Sequence, residues 1–178
     1  MSNVLIGIIG VILFIGLALA GALILGSDFT TATSSSKAAA IVQGLQQVSN
    51  AYALNTVRTG SPISADQGET VVATLVANKR LKSPPVNPVN TANAVVGYDD
   101  IGQRNAAKPM GTIIMTIGPR GGATFRDICY AIEEQMGAAN PAASVDTATP
   151  FDTKVTTDRR IGCMWNTYSN TYMAYATL

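Results

Sequence analysis

The sequence predicts an α+β chain: one long N-terminal helix, apolar in its first half, followed by a globular head with an antiparallel sheet. Three observations lead there. The stretch Val4–Leu25 contains no charge, no proline and no strongly polar side chain. Proline is absent before Pro62, and between Lys37 and Gly60 apolar residues return at three- and four-residue steps. The C-terminal third holds apolar runs joined by hairpin-length connections, which makes the last strands antiparallel.

The apolar stretch is about 22 residues, against the roughly 20 that a helix needs to cross a bilayer. A cleaved secretory signal has a shorter apolar region behind a basic front end. Here the first cation is Lys37, so the segment reads as retained and membrane-competent but without the flanking charge that orients a simple anchor. Ala18, Ala22 and Gly26 recur every fourth residue and form one flat ridge, and Gly7, Gly10, Gly16 and Gly21 add points of close approach. Small residues at such spacing let helices pack backbone to backbone in apolar surroundings.

The next segment, KAAAIVQGLQQVSNAYALNTVRTG, places Ala38, Ile41, Val42, Leu45, Val48, Ser49 and Tyr52 on one face, with Gln43, Gln46, Gln47 and Asn50 mostly opposite. Gly60 and Ser61-Pro62 stop it. The Ser/Thr-rich link SDFTTATSSS contains no breaker, so one helix from about Ser2 to Thr59 is expected, loosened around Gly26–Ser36 and roughly 85 Å long. Hydroxyls in this link either satisfy local backbone groups or bear O-linked sugars.

The head reads as follows. A short helix has an N-cap candidate at Ser64 and an apolar face at Val71, Val72, Leu75 and Val76. Pro84–Asn93 is a loop, Ala94–Tyr98 a short strand, and Gly111–Gly118 a buried strand. GPRGG at Gly118–Gly122 lacks a Walker lysine and reads as a turn. A second helix carries Phe125, Ile128, Cys129 and Ile132 on one side and ends at Gly137. Ala138–Asp152 is a second long loop, and both loops are expected to face outward. KVTTDRRIGCMW and NTYMAYATL then form two strands with a turn near Asn166–Asn170. The resulting organisation is 1–27 as an apolar transmembrane or filament-core half-helix, 28–60 as an amphipathic half and 61–178 as the head.

Composition narrows the chemistry. The net charge is +1 and only 13% of residues are charged, about half the usual share. That is too weak a field for nucleic-acid binding, which needs clustered cations against phosphates. Lys79-Arg80-Leu81-Lys82 and Arg159-Arg160 read as solvated surface. There is no histidine, which removes the commonest general base and metal ligand. Glu133 and Glu134 are adjacent and diverge on a helix, so they make no acid–base pair. No enzyme, cofactor or metal centre is expected. The two cysteines, Cys129 and Cys163, suggest a disulfide; two buried free thiols are the alternative, and no exchange motif surrounds them.

With these residues in view, the chain resembles the bacterial type IV pilins. MSNVLIGIIGVILFIGLALAGALILG looks like their apolar half-helix, KAAAIVQGLQQVSNAYAL like the half that packs on the head, and Cys129 with Cys163 like their C-terminal disulfide. The longer subunit and the Met1 start look closest to type IVb. The resemblance implies a major structural subunit, processed by a prepilin peptidase and methylated at Met1. It would reside in the inner membrane before an assembly ATPase and a platform protein build it into an extracellular filament. As a helical homopolymer it would serve adhesion, motility, DNA transfer or phage attachment. The filament core would be packed by Leu5, Gly7, Gly10, Phe14, Gly16, Ala18, Gly21, Ala22 and Gly26. Two departures stand out: Leu5 occupies the position where the family carries glutamate, with Ser2 and Asn3 as substitute hydrogen-bonding groups, and the family's proline in the apolar half is absent. The alternatives are a minor pilin or pseudopilin of a secretion machine, or a single-pass membrane protein with a periplasmic binding domain.

Overall fold

The computed structural model describes residues 2–63, 70–90, 97–99, 112–147 and 161–178. Helix α1 runs Ser2–Thr59 as a single assigned helix, including the Ser/Thr-rich link where loosening was expected. Thr33 shows how that link remains helical: its hydroxyl donates to the Phe29 carbonyl at 2.8 Å, one turn back. The helix stops at Gly60, whose φ of +72° is left-handed and whose N–H reaches the Thr56 carbonyl at 2.9 Å. The chain divides into two compact units, Met1–Ser34 and Ser35–Leu178.

The second unit is an α+β domain in which the later part of α1 packs on an antiparallel sheet. The elements that follow α1 are α2 (Thr70–Ala77), β1 (Gly97–Asp99), β2 (Thr112–Pro119), α3 (Ala123–Gln135), α4 (Pro141–Asp146), β3 (Ile161–Asn166) and β4 (Thr171–Thr177). The sheet order is β1-β2-β4-β3, with every neighbouring pair antiparallel. β4 lies between β2 and β3 and is buried from Tyr172 to Thr177. A strand covered on both faces reads in sequence as a nearly continuous apolar run, as TYMAYAT does. β3 and β4 are joined across residues 167–170, where Asn170 takes a φ of +52° that asparagine tolerates.

One face of the sheet carries the main core. Ala38, Ile41, Val42, Leu45, Val48 and Ala51 of α1 meet Ile113, Met115 and Ile117 of β2 and Tyr172, Ala174 and Ala176 of β4. Val71, Val72 and Leu75 of α2 and Ile128, Cys129 and Ile132 of α3 close the same cluster. The α1 stripe matches the sequence periodicity and adds Ala51; each fully buried Ile or Leu contributes about 1.5–3 kcal/mol. The opposite face holds a smaller cluster of Met164, Met173 and Tyr175. Gly44 of α1 has a specific reason to be glycine, since a Cβ there would lie 3.1 Å from the Pro85 side chain.

Several sequence expectations are revised. The stretch Ala138–Asp152 is not all loop: α4 occupies Pro141–Asp146, started by Asn140, whose side chain accepts the Ala143 N–H at 3.1 Å. Proline at the first helical position has no N–H to waste, and Val145 then reaches the core. The Pro84–Asn93 loop is not simply outward-facing either. Asn87 is fully buried; its amide donates to the Thr116 carbonyl at 2.7 Å and accepts from the Val89 and Asn90 N–H groups. Glu133, read only as too divergent from Glu134 for an acid–base pair, is buried. It accepts the Cys163 N–H and the Ser144 hydroxyl, both at 2.6 Å. The Ser64 cap, residues 94–96 of the first strand expectation and the start of KVTTDRRIGCMW lie outside the described residues.

Cys129 of α3 and Cys163 of β3 form a disulfide, with Cα atoms 5.4 Å apart. Together with Glu133 it fastens α3 to β3, an edge strand among the described residues whose outward N–H groups need acceptors. With a sequence separation of 34, the bridge contributes roughly 3–4 kcal/mol on the chain-entropy estimate. Reduction of the intact chain in detergent should lower its denaturation midpoint accordingly; an unchanged midpoint would refute that role. Gly162 faces the same junction, where a Cβ would lie 2.6 Å from the Tyr175 hydroxyl and 2.7 Å from the Glu133 carboxylate. Gly162→Ala should therefore cost about 1–3 kcal/mol in a denaturant titration, the range typical of overpacking.

Candidate functional site: an uncovered apolar helix and a polar cleft

Two features outside the core invite a functional reading. The first is the apolar part of α1. Every side chain from Gly7 to Ala20 is exposed, including Ile8, Ile9, Val11, Ile12, Leu13, Phe14, Ile15, Leu17 and Leu19. Phe14 and Leu17 each expose 74% of their surface. Isolated exposed apolar residues are ordinary, but a contiguous helix surface of them marks a place that other molecules cover. A Cβ built at Gly7, Gly10, Gly16 or Gly21 meets nothing within 4 Å, so no packing within the chain requires glycine there. Ala18 is exposed as well. Leu5, Ala22 and Gly26 are helical, but their side chains, like those of Ser2 and Asn3, lie outside the described residues, and so does Met1 altogether. Among the described residues no helix is long and apolar enough to cross a membrane. Within the run Val4–Leu25, side chains are described for residues 7–21.

The second feature lies where β2 turns into α3. The turn read from GPRGG is present: β2 ends at Pro119, α3 begins at Ala123, and the Gly122 N–H closes onto the Pro119 carbonyl at 3.2 Å. Its flanking glycines are explained by Phe125, whose ring lies so close over Gly118 that a Cβ there would come within 2.7 Å. The turn presents Arg120 and Gly121 to a cavity of about 260 Å³, whose other walls are Ala123, Arg126, Asp146 and Tyr172. Arg120 stacks on Trp165, its guanidinium carbon 3.5 Å from the ring centroid, and Arg126 lies over Tyr130 at 5.6 Å.

Asp146, at the end of α4, organises the cleft. It accepts a short hydrogen bond from the Tyr130 hydroxyl and a longer one, 3.4 Å, from the Tyr172 hydroxyl. Burial pushes the Tyr130 phenol up to about 12; the hydrogen bond to Asp146 and the charge of that carboxylate add to it, and Arg126 opposes. Tyr172 is raised for the same first reason, burial, then by Asp146, against Arg120 and Arg126. Among the described residues no group of His, Cys, Asp and Glu could hold a metal ion.

The sequence reading missed this cleft because its parts come from four separate elements. The one local signal, Asn140-Pro141 as an N-cap and first helical position, identifies α4 and hence the placement of Asp146. No family model, curated protein or solved structure matches the chain.

The tyrosine shift is measurable. Among the protein's six tyrosines, Tyr130 should ionise near pH 12 in an ultraviolet titration, well above the ordinary value of about 10. A raised folded-state value means the associated stability is present in full below about pH 10 and is lost as pH rises through the folded value. Asp146→Asn should bring Tyr130 back toward its ordinary range; an unchanged titration curve would contradict the assignment.

Proposed function

We propose that this chain is the structural subunit of a helical extracellular filament of the type IV pilus kind, built through its N-terminal helix. The observation that carries the reading is the uninterrupted exposure of apolar side chains from Gly7 to Ala20 on a helix whose later residues, from Ala38, are committed to a folded head. An apolar helix surface in that position needs lipid or other helices around it. Before assembly it rests in the inner membrane. During assembly the helices of many copies exchange lipid for one another.

Because lipid is as apolar as a helix, that exchange gains little from the hydrophobic effect itself. Packing at the small residues, and contacts between heads, supply the drive. Gly7, Gly10, Gly16 and Gly21, with open space where their Cβ atoms would be, fit a helix that neighbours approach closely. The contact is heterologous and repeating, so the assembly grows as an open helix instead of closing into a ring. On this reading a prepilin peptidase, an assembly ATPase and a platform protein act on the chain. The disulfide and the Glu133 junction support a head that must remain folded outside the cell.

Gly16→Phe tests the reading at a position in the first unit, where an added Cβ meets no other described side chain within 4 Å. Filament yield in sheared fractions should collapse while the subunit still accumulates in the membrane with its disulfide formed. Undiminished filaments, or wild-type cells whose filaments do not contain this chain, would overturn it.

A further inference from the structure

The cleft between the β2–α3 turn and α4 has no part in the polymer reading, and it carries its own chemistry. Its walls supply two guanidiniums, Arg120 and Arg126, and one carboxylate, Asp146, for a local balance of 2 − 1 = +1. Both arginines are exposed, and each is steadied by an aromatic ring beneath it, Trp165 for Arg120 and Tyr130 for Arg126. Stacking of this kind orients the planar fork of the guanidinium while leaving its N–H edge available.

Asp146 faces the same space with two of its roughly four acceptor positions taken by the Tyr130 and Tyr172 hydroxyls. The remaining positions can accept a hydroxyl. Gly121 lines the turn side of the cavity, and a Cβ there meets nothing within 4 Å. At about 260 Å³ the space lies just below the range of about 300–1,000 Å³ typical of drug-sized sites, which suits a single small ring.

We propose that this cleft binds a singly charged, hydroxyl-bearing carboxylate of the size of one sugar ring, such as the terminal residue of an acidic saccharide. The carboxylate pairs with Arg120 and Arg126, and a neighbouring ring hydroxyl donates to Asp146. A single negative charge matches the local balance. A phosphate dianion gains from the arginines but brings a second negative charge, which exceeds the local balance and is repelled more strongly by Asp146. A neutral sugar satisfies Asp146 alone. The discrimination therefore comes from both ends of the cleft, which is what separates a recognition site from a patch of surface arginine.

The test is calorimetric titration of the intact chain in detergent micelles with sodium glucuronate, and in parallel with glucose and with inorganic phosphate. Glucuronate should bind saturably, and both comparison ligands should bind at least about tenfold more weakly, the loss expected when one charge-assisted contact is removed. Arg126→Gln, at an exposed position, should weaken glucuronate by about the same factor. Arg120→Gln, at the other exposed guanidinium, should weaken glucuronate by about the same factor. Absence of glucuronate binding, phosphate binding as tight as glucuronate, or glucuronate affinity unchanged in either variant would each overturn the proposal. None of these outcomes bears on filament formation, and a chain that never polymerises could still bind glucuronate here.

Discussion

The apolar surface of residues 7–20 is the constraint to which the rest of this molecule answers. A helix that is apolar all round has no stable place in water. Further along, the same helix changes character. From Ala38 its apolar residues contract to one stripe, and that stripe is fully used against β2 and β4. The helix thus carries two kinds of apolar surface, one stripe buried within the chain and one stretch exposed. Glutamines and asparagines separate the two faces in its later part, whereas residues 7–20 have none.

The head is organised to bear such a helix without depending on size. β4 is buried on both faces, and the strands beside it are tied down at specific points. At one end of the sheet, Glu133 and the Cys129–Cys163 bridge fasten α3 to β3. At β2, Asn87 binds the Thr116 carbonyl beside the register shift between Thr116 and Gly118. These are polar and covalent fastenings placed where strand edges or irregular backbone would otherwise leave groups unpaired. The cleft arises from the same construction: α3 begins at the β2 turn, α4 follows α3, and Asp146 at the end of α4 meets both tyrosines.

What could be read in advance follows from how local each signal is. The stripe of α1, strand β2, helix α3 with its stop at Gly137 and the β3–β4 turn all announce themselves by periodicity or by a single turn residue. The same reading failed wherever the determinant was a partner far along the chain. The role of Glu133 is not visible until Cys163 and Ser144 are brought to it from other elements. Asn87 looks like an ordinary loop residue until the Thr116 carbonyl faces it. α4 is a different kind of miss: Asn140-Pro141 carries a local start signal, but six helical residues are too few to show a period. The cleft, assembled from four elements, could not be read at all.

The most direct measurement on the central claim is cryo-electron microscopy of filaments sheared from cells that express this chain. The account predicts a filament whose core is a bundle of the Val4–Leu25 helices, close-packed at Gly7, Gly16, Gly21 and Ala22, with heads on the outside and a defined environment around Leu5. A chain found only as a dispersed membrane protein, or a filament whose core is formed by other residues, would contradict it.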